Sequence, residues 1–309
     1  MNLLLTPKAF VRRHLVAPVA RLAGSPLPSP LAGRVVLVTG ASSGVGEASA
    51  KAIAARGATV LCVARRPAEL DRVVREIEAA GGTAYGYACD LTDAAATDDL
   101  LQRVLDDHPA VDMLVNNAGR SIRRSLEFSY DRMHDFERTM AINYFGPVRL
   151  ILGLLPGMRE RQFGHVVNIV TWGVQLKAPK FTAYIASKTA LDSFSRIAGR
   201  EAWFDNVTFT NLRLDLVRTD MIVATDAYRR APAKSPEQAA ALVVRALEDR
   251  PVTISTVAGR VGEVLNLVAP RLMDAGMGLV AARMPDSPAA RAHVEPPHAG
   301  RADQQGSAG

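Results

Sequence analysis

The hydrophobic positions of this chain change their spacing along its length, and the change divides it. From Arg34 to about residue 258, short apolar runs alternate with longer stretches of helical periodicity. The runs fall at 34–39 (RVVLVT), 59–64 (TVLCVA), 83–88, 111–116 (VDMLVN), 165–171 (HVVNIVT), 207–214 (VTFTNLRL) and 251–257. Helical patterns fill gaps between them at 46–56, 67–80, 94–107 and 183–203. Strands alternating with helices imply parallel strands joined by right-handed crossovers. Short unbroken apolar strands fit a sheet covered on both faces. The expected fold class is α/β: one doubly wound parallel sheet of about seven strands, a Rossmann fold, spanning 34–258.

The flanks read differently. In residues 1–33 a broken apolar stripe (Leu3, Leu4, Leu5, Phe10, Val11, Leu15, Val16, Val19, Leu22) is interspersed with Lys8, Arg12, Arg13 and Arg21, and no acid occurs. This predicts an N-terminal amphipathic basic helix, with SPLPSP (25–30) as a linker after it. Such a helix either lies on a membrane surface or packs on the domain with a solvated basic face. The scattered charges do not make a signal peptide, and no 18-residue uncharged apolar stretch predicts a spanning helix. Residues 259–285 predict a C-terminal helical extension, set against the core or at a subunit interface, with membrane contact as the alternative. Residues 286–309, rich in Ala, Pro, Gly, Gln and Ser, predict a disordered tail.

Composition adds limits. The net charge of +6 favours anionic ligands, anionic lipid or nucleic acid. Nucleic acid is the weakest of these, because aromatics are only 6% and no run interleaves them with basic residues. Cys62 and Cys89 both sit in apolar runs, as isolated thiols do in a reducing cytosol. A cytoplasmic protein is expected, with peripheral contact at the inner membrane face if the basic helix is an anchor. Without a Cys/His ligand cluster, no metal site is expected.

Two segments carry chemistry. In VVLVTGASSGVGEASA, Gly40, Gly44 and Gly46 lie between the first strand and the first helix. Glycines there permit a tight turn and close approach of the backbone to a pyrophosphate at a helix N-terminus. The second strand ends in VARR, with Arg65 and Arg66 where an acid would hold a ribose 2′-OH. Arginine suits a 2′-phosphate instead, so NADP(H) is expected over NAD(H), with Arg65 the preferred contact. In FTAYIASKTALDSF, Tyr184 and Lys188 stand four apart and share one helix face. A nearby ammonium favours a phenolate, so Lys188 is expected to lower the Tyr184 pKa and fit it for proton transfer.

The glycine loop TGASSGVG, NNAG at 116–119, Asn143 in a helix and Tyr184-x-x-x-Lys188 resemble, in order and spacing, the short-chain dehydrogenase/reductase family. The resemblance implies an NADP(H)-dependent oxidoreductase acting on a carbonyl or CH–OH group. It implies that Tyr184 is the proton donor, that Lys188 also holds the nicotinamide ribose, and that Asn143 positions a relay water. It places the cofactor against Gly40, Ser42, Ser43, Gly44, Val45 and Gly46, with Asp90 and Leu91 at the adenine. Asn117, Ala118 and Gly119 would line its back, and Val217 and Thr219 would meet the nicotinamide amide. Dimers and tetramers are usual in the family, so a homo-oligomer is expected.

Two positions depart from the family pattern. Counting thirteen residues back from Tyr184 gives Thr171 where Ser is usual. The hydroxyl is kept, but the β-methyl crowds the site and stiffens χ1, so altered or reduced activity is expected. Asp215-Leu216 replaces the usual Pro-Gly, and nothing in the sequence assigns that acid a role.

The segments NNAGRSIRRS, GVQLKAPKFTAYIASKTALDSFSR and LVRTDMI are similar to the bacterial fatty acyl-CoA reductase branch. That implies a long-chain acyl-CoA as substrate and a fatty aldehyde as product. Arg120, Arg123, Arg124, Lys177 and Lys180, beside Trp172, follow strand ends where such sheets bind ligands, and they are candidates for the CoA phosphates. Two alternatives stand. One is a reductase or dehydrogenase of another apolar ketone or alcohol, 3-oxoacyl or steroid-like; the other is a weakly active cofactor-binding protein.

Overall fold

A computed structural model of the chain describes residues 29–219, 232–286 and 290. The expected N-terminal helix and most of the expected tail lie outside the described residues.

Seven parallel strands form one sheet in the order β3-β2-β1-β4-β5-β6-β7. They are β1 (Val35–Thr39), β2 (Thr59–Ala64), β3 (Thr83–Ala88), β4 (Met113–Asn116), β5 (Gly164–Thr171), β6 (Val207–Leu214) and β7 (Thr253–Ser255). The intervening helices are α1 (Gly44–Ala54), α2 (Pro67–Ala79), α3 (Ala94–Asp107), α4 (Met133–Met140), α5 (Gly146–Glu160), the one-turn α6 (Gly173–Leu176), α7 (Thr182–Glu201) and α8 (Pro236–Asp249). Two further helices, α9 (Val257–Val268) and α10 (Pro270–Arg283), follow the last strand.

Period-two alternation sorts the core into two layers. Val36 and Val38 of β1 face one side, packing with Ile53 of α1, Val73 of α2 and Val243 of α8. Leu37 faces the other, with Leu100 of α3 and Leu150 and Leu154 of α5. Strand β3, paired on one side only, departs from the expected double cover: Thr83, Tyr85, Gly86 and Ala88 are exposed. Cys62 is buried in β2 and Cys89 lies one residue beyond β3; both are free thiols.

The chain leaves β1 to build β2 and β3 on one side, then returns to β4 on the other. Loops after β1 and β4 therefore diverge and open a crevice at their carboxyl ends. Sequence composition misjudged both borders of the domain. Leu31, beside the expected linker, is fully buried, and Ser29 donates to Glu248 at 2.8 Å. Asp286 and Ala290, expected in a disordered tail, are buried.

Candidate active site

The loop after β1 is shaped by its glycines. Gly40 and Gly44 have φ of +66° and +56°, a region that favours glycine. A Cβ on Gly46 would stand 2.0 Å from the Gly40 carbonyl oxygen, so only glycine lets α1 start this close to the strand. Ser43 caps α1 without a side-chain hydrogen bond, which leaves the first-turn N–H groups to a ligand. The neighbouring strand end is tied to this loop. Asn117 and Ala118 N–H groups donate to Thr39 Oγ1 at 2.9 and 3.0 Å, and Asn117 Nδ2 donates to the Thr39 carbonyl at 2.9 Å.

A cavity of 1430 Å³ runs from this loop along the carboxyl edge of the sheet. Ser42, Ser43, Gly44, Val45, Arg65, Leu91, Asn117, Ala118 and Gly119 line it, and so do Thr171, Trp172, Tyr184, Lys188, Val217 and Thr219. Gly46 lies behind the loop. Asp90 stands outside the lining, where it accepts from Thr92 and faces Arg65 at 3.9 Å.

Helix α7 brings Tyr184 and Lys188 against the end of β5. The Thr171 hydroxyl hydrogen-bonds the Tyr184 phenol. Thr171 Oγ1 also accepts from the Gly173 N–H at 3.1 Å, which fixes the rotamer. The Thr171 methyl lies beside Gly173, 3.4 Å from where a Cβ would stand. Lys188 Nζ donates to the Ile169 carbonyl at 2.8 Å.

The electrostatics differ from the sequence expectation. Burial pushes the Tyr184 phenol up to about 12, opposed in part by the Thr171 hydrogen bond. Burial also pulls the Lys188 ammonium down to about 8. The expected lowering is not the net result: burial outweighs it and the phenol shifts upward, while Lys188 Nζ bonds the Ile169 carbonyl. At neutral pH the phenol keeps its proton, which suits a donor more than a base.

Asn143 sits in a π-helical turn, Ala141–Phe145, between α4 and α5, a device common at functional sites. Its side chain is fully buried and bonded: Nδ2 donates to the Arg120 carbonyl (2.8 Å) and to Ser187 Oγ (3.0 Å), and Oδ1 accepts from Arg120 N–H (2.9 Å). Ser187 Oγ in turn donates to the Tyr184 carbonyl at 2.7 Å. The Asn143 side chain thus braces the loop after β4 against the Tyr184 turn of α7.

The five expected phosphate-binding cations do not stay together. Arg120 and Arg123 line the cavity. Arg124, Lys177 and Lys180 do not. Arg124 Nε lies 3.5 Å from buried Asp135, Lys177 Nζ donates to the Val174 carbonyl, and Lys180 pairs with Asp286 at 2.7 Å.

A sequence model of the short chain dehydrogenases matches residues 34–229. The chain belongs to the short-chain dehydrogenase family. It is 47% identical over 263 residues to a fatty acyl-CoA reductase of Acinetobacter baylyi, covering 85% of this chain and 89% of that protein. A short-chain dehydrogenase from Streptomyces avermitilis superposes with a TM-score of 0.69 at 31% identity, over 81% of this chain and 98% of that one. A 3-oxoacyl (acyl-carrier-protein) reductase from Agrobacterium tumefaciens, solved with NADP bound, does so with 0.64 at 34% identity, over 69% and 87%. Like the rest of its family, this dehydrogenase is a nicotinamide-dependent oxidoreductase.

Within this short-chain dehydrogenase the structure gives Asp215 a role that the sequence left open. Its carboxylate accepts from Lys234 Nζ at 2.7 Å, and a parallel bridge joins Val217 to Lys234. The Leu216 carbonyl accepts from Lys234 N–H at 2.9 Å. The pair pins 215–218 in place, and Thr219 follows with its methyl 3.0 Å from the Cβ position of Gly44. Asp215 is thus neutralised where it borders the cavity.

Ser187, Thr39 and Lys234 went unread in the sequence. Only Ser187 left a signal, standing three residues after Tyr184 on the same helix face.

Because the Thr171 methyl is already accommodated beside Gly173, Thr171→Ser should change kcat by less than about threefold. Thr171→Val, which removes the hydroxyl, should lower it about 100-fold. Steady-state reduction of any accepted carbonyl compares the two; a large gain in the Ser variant would show the methyl to be obstructive.

The pH profile follows from the same geometry. The pair suited to proton donation is a protonated Tyr184 beside a charged Lys188. Reductive kcat/KM for NADPH should hold below pH about 8 and fall above it as Lys188 of the free protein loses its proton. A rate rising steadily from pH 7 to 10 would contradict this assignment.

Proposed function

We propose that the protein reduces long-chain fatty acyl-CoA to fatty aldehyde with NADPH. The observation that carries the reading is the composition of the cavity. Polar Thr171, Tyr184 and Lys188 line it, while Leu176, Ile185, Met277 and Val280 of α10 and Met284 just after that helix give it an apolar wall. At 1430 Å³ it exceeds the roughly 300–1,000 Å³ of a single small-ligand site, leaving room for a dinucleotide and a long substrate together. The relative named a fatty acyl-CoA reductase supports the same choice.

The residues fit a nicotinamide dinucleotide. The glycine cradle admits no Cβ at Gly46, and the N-terminus of α1 offers free N–H groups to a pyrophosphate. Lys188 has three N–H donors and uses one on the Ile169 carbonyl, so the others can meet a ribose. Arg65 and Arg66 border the cavity after β2, where no acid stands, and support a 2′-phosphate. Val217 and Thr219 would hold the amide, and Leu91 the adenine. Asp90, paired with Arg65, would steady that arginine.

NADPH, when bound, supplies a hydride to the carbonyl carbon. Thr171 and Tyr184 hydrogen-bond the thioester carbonyl oxygen, and Tyr184 Oη gives it a proton as negative charge develops. Lys188 steadies the charge left on the phenol. The hemithioacetal then loses the CoA thiol: the C–S bond breaks, the sulfur takes the hydroxyl proton, and the aldehyde remains. Arg120 and Arg123, at the mouth, would face the CoA phosphates.

NADPH oxidation with acyl-CoAs of graded length tests the reading. Aldehyde should form, with kcat/KM rising toward long chains and at least about tenfold lower with NADH. Preference for a 3-oxoacyl or steroid-like ketone over every acyl-CoA would instead favour a ketone reductase. No NADPH oxidation with any carbonyl would leave only cofactor binding.

A further inference from the structure

Helix α10 contributes Met277 and Val280 to the cavity, and Met284 follows at its end, yet none of the helix's own residues is buried in the core. Among the described residues, it is joined to α9 and tied down by a set of polar bonds just after its C-terminus. Asp286 is 8% exposed. Its Oδ1 accepts from the Ser125 N–H at 2.9 Å, and its Oδ2 accepts from Lys180 Nζ at 2.7 Å. Lys180 Nζ also donates to the Met284 carbonyl, and Arg123 Nη2 donates to the Pro285 carbonyl at 2.8 Å. The receiving surface is itself rigid: Arg124 N–H donates to the Lys180 carbonyl at 2.8 Å, joining the loop after β4 to the loop before α7. Burial alone would raise the Asp286 carboxyl. The bonds from Lys180 and Ser125 outweigh it and hold the group below the usual carboxylate range, so it stays charged.

We propose that Asp286 is a positioning residue that latches α10 across the cavity, making Met277, Val280 and Met284 a specificity-determining wall for the apolar part of the substrate. The argument is one of geometry. A helix with no fully buried residue of its own presents a fixed wall only where an end is anchored. Two cations and a backbone N–H from the loops flanking the catalytic residues supply that anchor. The same cations, Lys180 and Arg123, therefore serve chain-length selection by holding the wall. The inference rests on the reading of the substrate as a long-chain acyl compound.

The test separates the latch from that reading. In Asp286→Ala the KM for hexadecanoyl-CoA should rise about tenfold, a typical loss for displaced apolar contacts, while kcat and the KM for butanoyl-CoA move less than twofold. Val280→Ser, which alters the wall and leaves the latch intact, should show the same chain-length-dependent rise and keeps the test open if Asp286→Ala fails to fold. Binding of the fluorescent fatty acid cis-parinaric acid to the NADPH-bound protein gives a readout that needs no turnover, and it should weaken about tenfold in either variant. If parinaric acid binding weakens as expected but no acyl-CoA is reduced, the latch stands and the acyl-CoA reading falls. If both variants match the wild type in parinaric acid affinity and in KM at both chain lengths, the latch is overturned.

Discussion

The site depends on an ammonium taken out of water. Lys188 is 4% exposed, and among the described residues its one hydrogen bond is to the Ile169 carbonyl on β5. A buried cation with a single neutral partner is unfavourable. Burial accordingly brings its pKa down to about 8. The cost is repaid only when something anionic or rich in acceptors enters the cavity. A Cβ on Gly119 would stand 3.3 Å from Nζ and 2.9 Å from Asn143 Oδ1, so the loop after β4 must be glycine at that point to leave the ammonium room. The phenol of Tyr184, raised to about 12, remains a proton donor at any physiological pH. The pair describes a site poised for reduction, with the cation ready to stabilise the phenolate that forms.

The fold supplies this arrangement through strand order. Because β4 lies on the far side of β1 from β2, the loops after β1 and β4 part and the glycine turn faces open space. Because β5 neighbours β4, its last residues Ile169 and Thr171 arrive beside that space. Helix α7 then returns with Tyr184 and Lys188 on the face that meets them. The π-turn at Ala141–Phe145 and Ser187 fasten the loop after β4 to the Tyr184 backbone. Asp215 and Lys234 fix the remaining side. Three loops and one helix are thus cross-linked by short polar bonds, which is what a site needs in order to hold its geometry before substrate arrives.

The strands were legible because they rest on local rules. Apolar runs and helical periodicity placed all seven to within a few residues, and the set of motifs in register singled out Tyr184 and Lys188, which both line the cavity. What escaped depends on long-range pairing. Nothing local tells that Asp215 meets Lys234, that Asp286 meets Lys180, or that Arg124 turns to Asp135 and away from a ligand. Composition also misled at the borders, since Leu31 and Asp286 stand among residues typical of linkers and tails yet are buried. The direction of the Tyr184 shift was misjudged for a related reason: the spacing put an ammonium near the phenol, but only the fold shows how deeply both groups are buried.

The account turns on the state of Lys188 inside the cavity, and that state can be titrated directly. With the lysine side chains labelled with ¹⁵N and the Lys188 resonance identified by its absence in Lys188→Met, the ammonium should titrate near 8 in the cofactor-free protein. NADPH should move that midpoint upward, as a bound anion favours the charged form. A Lys188 that titrates near the ordinary lysine value and does not respond to NADPH would contradict the account, because the ammonium would then be solvated and apart from the reacting group.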